Sequence, residues 1–176
     1  MARSKKTQAA IDGALSLDVA QDQVGLGVDL VEIDRMRAIL NRTASFSGRY
    51  FTEAEREYCN SKTDPTPHYA ARFAAKEAVV KSLGCGFSQG VRPVDIEIES
   101  GKGGRPEVVL HGAALDAAAR IGAKEIPISL SHTRKDAIAC AIAITHNSQI
   151  ASEKRKDPME ELTRQFKDAR SMLDEL

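Results

Sequence analysis

The sequence predicts an α+β fold in which an antiparallel sheet packs on a long central helix. Three observations predict it. The candidate elements run strand, several helices, then strand–strand–helix–strand–strand, an order that segregates helices instead of alternating them with strands. The stretch YAARFAAKEAVVKSL (69–83) has ten apolar residues among its fifteen, spread around nearly every side of a helix, as expected of a helix packed on most sides. Finally, IPISLSH and AIACAIAI flank the polar TRKD, the pattern of a hairpin.

The elements follow in order. Residues 1–22 are polar and alanine-rich without a firm period and read as a loose extension. VGLGVDL (24–30) is a strand ending near Asp29, and IDRMRAILNR has apolar residues at helical spacing. TEAERE opens a second helix, with Thr52 and Glu55 at capping-box spacing. Pro65 and Pro67 stop it, and the central helix follows. Gly84, Gly86 and Gly90 mark a loop, and DIEIE (95–99) and EVVLH (107–111) are strands joined by SGKGGRP. AALDAAARIGA is a short helix ended by Gly122, before the late hairpin. After Thr145 the chain becomes highly charged, a solvated or partner-docking helix. The expected organisation is an extension at 1–22, one domain at 23–146 and a charged helical extension at 147–176.

The 176 residues suffice for one domain with a real core. Twenty-five basic and 25 acidic residues cancel, so an acidic partner must be met by a local patch. Cys59, Cys85 and Cys140 are widely spaced, with no CxxC pair; neither a disulfide framework nor a zinc site is suggested, and a reducing cytoplasm fits best. No apolar run is long enough to span a membrane, and the N-terminal stretch lacks the continuous apolar core of a signal peptide.

Arg72, Lys76, Glu77 and Lys81 stand inside the apolar central helix. Buried charges are costly unless compensated. One reading is an internal Glu77–Lys81 pair with Arg72 and Lys76 snorkelling to water. The other is a site for a polyanion with a divalent cation, since three basic groups and a carboxylate are what such a site needs. Asp29 is either a strand-to-helix cap or the second carboxylate ligand, and Gly25 and Gly27 permit close approach beside it. His132 is either a surface or core-satisfied side chain or a phosphate donor. Between Arg35 and Thr52 lie Arg35, Arg37, Arg42 and Arg49 and no acid. This strip is a solvated face or a dock for an acidic helix. With no tryptophan and 5% aromatics, a stacking platform for nucleic acid is not expected.

Together GVDLVEIDR (27–35), FTEAE (51–55), ARFAAKEAVVKSLG (71–84), DIEI (95–98), GGRP (103–106) and ISLSH (128–132) resemble one family closely. It is the holo-acyl-carrier-protein synthases, the small bacterial type of 4'-phosphopantetheinyl transferase. The resemblance covers roughly residues 24 to 144. It implies the 4'-phosphopantetheinyl transferase fold and transfer of the phosphopantetheine arm of coenzyme A to a serine of apo acyl carrier protein. Adenosine 3',5'-bisphosphate is released, Mg²⁺ is required, and the reaction serves fatty-acid synthesis. Residue by residue, it implies that Asp29 and Glu77 bind the metal, and that Glu77 and Lys81 are catalytic, Lys81 lying near the transferred phosphate. It further implies that Arg72 and His132 contact coenzyme A phosphates, Gly104 and Pro106 border the nucleotide, and Arg35 meets the carrier. Arg42 and Arg49 extend that carrier surface. On that reading Lys76 joins Arg72 and Lys81 around phosphate, or is structural, since it lies within the arc of Tyr69, Phe73 and Val80. The group taking the serine proton is open between Glu77, a water on the metal and a carboxylate of the carrier. The family is commonly a trimer with sites between subunits. The TRKD turn and the extensions at both ends depart from the family pattern. The alternative function is a non-catalytic phosphate- or nucleotide-binding module using the same basic pockets.

Overall fold

The computed structural model describes residues 24–87 and 90–148. The expectations for 1–22 and for most of the charged tail therefore lie outside the described residues. Val24–Thr145 form one compact unit. Its elements are β1 (Gly25–Glu32), α1 (Ile33–Arg42), α2 (Phe46–Tyr50), α3 (Glu53–Asn60) and α4 (Thr66–Ser82). They are followed by β2 (Ile96–Ser100), β3 (Pro106–Leu110), α5 (Gly112–Arg120), β4 (Ala123–Glu125), β5 (Ile128–His132) and β6 (Asp136–Thr145). The α+β expectation holds.

The main sheet is antiparallel and built around β6. β1 pairs along one side, from Gly25↔Ala143 to Glu32↔Asp136, while β5 and then β4 pair along the other. β2 and β3 form a separate hairpin. Thr133 ties the β5–β6 turn: its hydroxyl accepts from the amides of Lys135 and Asp136, a local device that makes TRKD turn.

α4 lies across the inner face of the sheet. It has 17 residues, twelve of them buried. Ala71, Ala74, Ala75 and Ala78 of α4 are buried with Ala137, Ala139, Ala141 and Ala143 of β6. Small side chains on both faces let helix and sheet approach closely, and two glycines take this to its limit. A Cβ on Gly25 would overlap the carbonyl oxygen of Ser82, and one on Gly27 that of Ala78. The strand and helix therefore run in opposite directions in register. Two strand residues advance about 6.7 Å and four helical residues about 6 Å. Continuing that step brings Asp29 beside the turn of α4 that leads into Glu77. Gly25, Gly27 and Asp29 share this inner face because strand side chains alternate.

Three elements differ from the sequence expectation. β1 continues past Asp29 to Glu32, which precedes α1, so Asp29 is mid-strand and not a strand-to-helix cap. The ladder with β6 extends the strand through residues whose spacing also suits a helix. α4 begins between the two prolines and carries Pro67 in its first turn, where the missing N–H costs nothing. The short α2 and β4 were not anticipated. The expected capping box is present: the Thr52 hydroxyl accepts from the Glu55 amide at 3.3 Å, and Glu55 Oε2 accepts from the Thr52 amide at 2.9 Å.

Candidate active site

Two cavities open on different sides of α4. The first, about 350 Å³, is lined by Asp29, Leu30, Val31, Arg35, Met36, Ile39, Phe73 and Glu77. It thus gathers the two candidate metal carboxylates and the candidate carrier-binding Arg35. Burial, and next the charge of Asp29, raise the Glu77 pKa above the ordinary carboxylate value, with Lys81 opposing. Among the described residues no group of three or more His, Cys, Asp or Glu is arranged to hold a metal; this cavity offers a pair of acids.

Lys81 does not pair with Glu77, as the internal-pair reading held. Its Nζ donates to Asp29 Oδ1 at 2.7 Å and to the Val28 carbonyl at 2.9 Å. An ammonium has three donors, so one remains. The Lys81 side chain is 46% exposed, and the pair is a weak tie.

The second cavity, about 230 Å³, brings together Arg72, Gly104, Pro106 and His132 with Tyr58, His68, Glu99 and Ser100. Residues from α4, the β2–β3 loop and the end of β5 meet here although they are far apart in sequence. Gly103 and Gly104 adopt positive φ in that loop, which favours glycine. Arg72 is not snorkelling; it is only 5% exposed. Its guanidinium carbon lies 3.9 Å from the centroid of the Tyr58 ring, a cation–π contact. Its Nε lacks a hydrogen-bond partner. Arg72 lines the cavity, and a buried guanidinium that is not fully satisfied is fit to receive an anion. Nearby Cys59 is no nucleophile, because burial pushes its thiol up to about 11.

Lys76 is a correction. Of the two expectations for it, phosphate contact and a structural role, the first does not fit: it is 1% exposed. Its Nζ donates to Glu55 Oε2 at 2.7 Å, to the Pro93 carbonyl at 3.0 Å and to the Ile96 carbonyl. All three donors are engaged, which leaves none for a ligand. The other oxygen of Glu55 accepts from the Ile98 amide at 3.1 Å. Lys76 and Glu55 thus fasten α4, α3 and the start of β2 together.

In the arginine strip, Arg37 is engaged by Asp64 and by the Thr66 hydroxyl at 3.0 Å each. Arg35, Arg42 and Arg49 are exposed, and Arg49 donates to the Ser45 hydroxyl. Of these three, only Arg35 reaches the acidic cavity; Arg42 and Arg49 line neither cavity. Sequence reasoning missed His68 and Tyr58. The only signal for His68 was its spacing of one helical turn from Arg72, which places both on one face.

A profile of the 4'-phosphopantetheinyl transferase superfamily matches residues 25–143. A holo-[acyl-carrier-protein] synthase of Caldanaerobacter subterraneus is 45% identical over 122 residues, spanning 69% of this chain and 95% of that protein. The crystal structure of the Neisseria meningitidis holo-[acyl-carrier-protein] synthase aligns with a TM-score of 0.62 at 30% identity, covering 69% of this chain and 98% of that one. The Helicobacter pylori synthase, solved in complex with coenzyme A, aligns with a TM-score of 0.57 at 26% identity, over 66% of this chain and 96% of that one. With two acids in one cavity and a buried arginine in the other, on a scaffold matched from its first strand to its last, this chain belongs to the 4'-phosphopantetheinyl transferase superfamily, among the holo-[acyl-carrier-protein] synthases.

Proposed function

We infer that the protein transfers the 4'-phosphopantetheine group of coenzyme A to a serine of apo acyl carrier protein, in fatty-acid synthesis. The serine Oγ forms a bond to the β-phosphorus of coenzyme A. The bridging P–O bond breaks, adenosine 3',5'-bisphosphate leaves, and the serine proton passes to a base. The observation that carries this reading is the pairing of Asp29 with Glu77 in one cavity, with Lys81 on Asp29. Family membership gives that pairing its context.

Asp29 and Glu77 fit Mg²⁺: both are hard oxygen donors lining one cavity, and burial, then the charge of Asp29, raise the Glu77 pKa. When bound there, Mg²⁺ neutralises and orients diphosphate oxygens. Lys81 supplies a positive charge at the same place, favouring the phosphoryl oxygens as charge develops on them. The base that takes the serine proton is Glu77, whose pKa burial and then Asp29 raise, a water on the metal, or a carboxylate of the carrier. Arg72 and His132 receive coenzyme A phosphate, bordered by Gly104 and Pro106. Arg35, Arg42 and Arg49 present positive charge to an acidic helix of the carrier.

The active assembly is a homotrimer with sites between subunits, the state that the resemblance implies. Two features support a shared site. Arg72 and Glu77 are five residues apart, about 140° around the helix, and the two cavities share no lining residue. One subunit thus offers an acidic half-site and a basic half-site on different sides. Second, Leu26, Val28, Leu30 and Ile138 are exposed on the outer face of the sheet. A flat apolar face of this kind calls for a cover. The cytoplasmic location rests on three free cysteines. No helix among the described residues is long and apolar enough to cross a membrane.

The test is to incubate the protein with coenzyme A, Mg²⁺ and apo carrier, then weigh the carrier. A mass gain of one phosphopantetheine arm is expected. Binding of coenzyme A without any gain, across several candidate carriers, would instead mark a non-catalytic nucleotide-binding module.

A further inference from the structure

His68 lies in the first turns of α4, one turn before Arg72, and lines the same cavity. Its ring meets His132 edge-on with centroids 6.2 Å apart, and meets Tyr58 edge-on at 5.8 Å. Among the described residues neither of its ring nitrogens has a hydrogen-bond partner. Tyr58 also carries Lys62, whose Nζ is 4.2 Å from the ring centroid. The cavity is therefore faced by His68 and Arg72 on α4 and His132 at the end of β5, and Lys62 beyond α3 acts on His68 by its charge. Glu99 of β2 is the carboxylate on its wall, and Asp64 before α4 acts weakly on His68.

The two histidines are not equivalent. Nδ1 of His132 lies 3.2 Å from the Thr133 carbonyl. A carbonyl only accepts, so that contact fixes the proton on Nδ1. Neutral His132 then presents a lone pair at Nε2, and it can donate there only as imidazolium. His68, with both nitrogens open, can turn an N–H toward an anion while neutral, and it gains a charge when protonated.

We propose that His68 is a third arm of this pocket, donating to the phosphomonoester of the bound nucleotide beside Arg72 and His132. The proposal rests on the nucleotide reading above and deepens it. In coenzyme A the only phosphomonoester is the one on the ribose. As a dianion with three accepting oxygens, it matches three converging donors better than a diphosphate oxygen does. Burial, then Arg72, Lys62 and His132, hold the His68 pKa below the ordinary histidine value. An entering dianion reverses the balance of charge and draws a proton onto the ring. Binding should thus tighten as pH falls from about 8 to about 6.5, a window above the second phosphate ionisation near 6.

The experiment measures calorimetric affinity of the full chain for coenzyme A and for dephospho-coenzyme A, which lacks that phosphate, at pH 8 and pH 6.5. His68→Phe keeps the ring on Tyr58 and removes the nitrogens. It should weaken coenzyme A about tenfold and leave dephospho-coenzyme A unchanged. His68→Gln keeps a neutral donor; it should bind coenzyme A nearly as well as wild type at pH 8 but lose part of the gain at pH 6.5. Wild-type affinity in His68→Phe, or equal losses for both ligands, would overturn the role of His68 while leaving the transferase reading intact. If wild type binds neither ligand, both readings fall together.

Discussion

The central helix carries two kinds of charge, and they differ in how completely they are satisfied. Lys76 and Glu55 form a closed knot in which every donor of the ammonium has an acceptor and both carboxylate oxygens have donors. One residue further, Glu77 faces a cavity beside a second acid, and one turn earlier Arg72 lines a cavity with its Nε left without a partner. A buried charge with all partners inside the protein is architecture. Charges of the same helix left without enough partners mark where the molecule expects a ligand.

The comparison can be broken most forcefully at the knot. Lys76→Ala leaves Glu55 buried with an uncompensated charge, which should cost about 3–5 kcal/mol of stability, read from denaturant midpoints. Adding Glu55→Gln should return part of that loss. Unchanged stability in Lys76→Ala would mean the knot is not structural.

Next in size is Glu77→Gln, expected to lower turnover about 10²–10³-fold and to blunt the Mg²⁺ dependence, without loss of stability. Because the folded protein raises the Glu77 pKa, its stabilising contribution is full below the unfolded carboxylate pKa and fades as pH rises through the folded one. The variant should therefore match or exceed wild-type stability at pH 7, and the difference should close as pH falls below about 4. A variant less stable than wild type at pH 7 would assign Glu77 to the architecture instead.

Gly27→Ala drives a methyl into the Ala78 carbonyl. Such overpacking costs about 1–3 kcal/mol, visible in thermal melts, and it should lower activity further by prising Glu77 from Asp29. The smallest effect belongs to Lys81→Met. Releasing Asp29 from a half-exposed ammonium should tighten Mn²⁺ binding to the nucleotide-free protein about two- to fivefold, followed by electron paramagnetic resonance. Weaker Mn²⁺ binding would show that Lys81 orients Asp29 and does not compete with the metal.

Much of this arrangement was legible because it is local. The Thr52–Glu55 box, the TRKD turn and the apolar pattern of α4 each lie within a few residues of chain. Arg72, Gly104, Pro106 and His132 were assignable one by one through resemblance, and the structure brings all four to one cavity. For Lys76 the arc it shares with Tyr69, Phe73 and Val80 points to a structural role beside the phosphate one, but its partner Glu55 lies 21 residues away and is not legible in the spacing. The end of β1 was misread because Val31, Ile33 and Met36 satisfy a strand ladder and a helix face in turn. His68 escaped notice because its open nitrogens are a property of what surrounds it.

The glycines of β1 have one last consequence. Where α4 crosses Gly25 and Gly27, main chain rests on main chain, with no side chain between them. The gauge between the two acids is consequently set by atoms that substitution elsewhere in the interior does not alter. Its tolerance is narrow at these two positions.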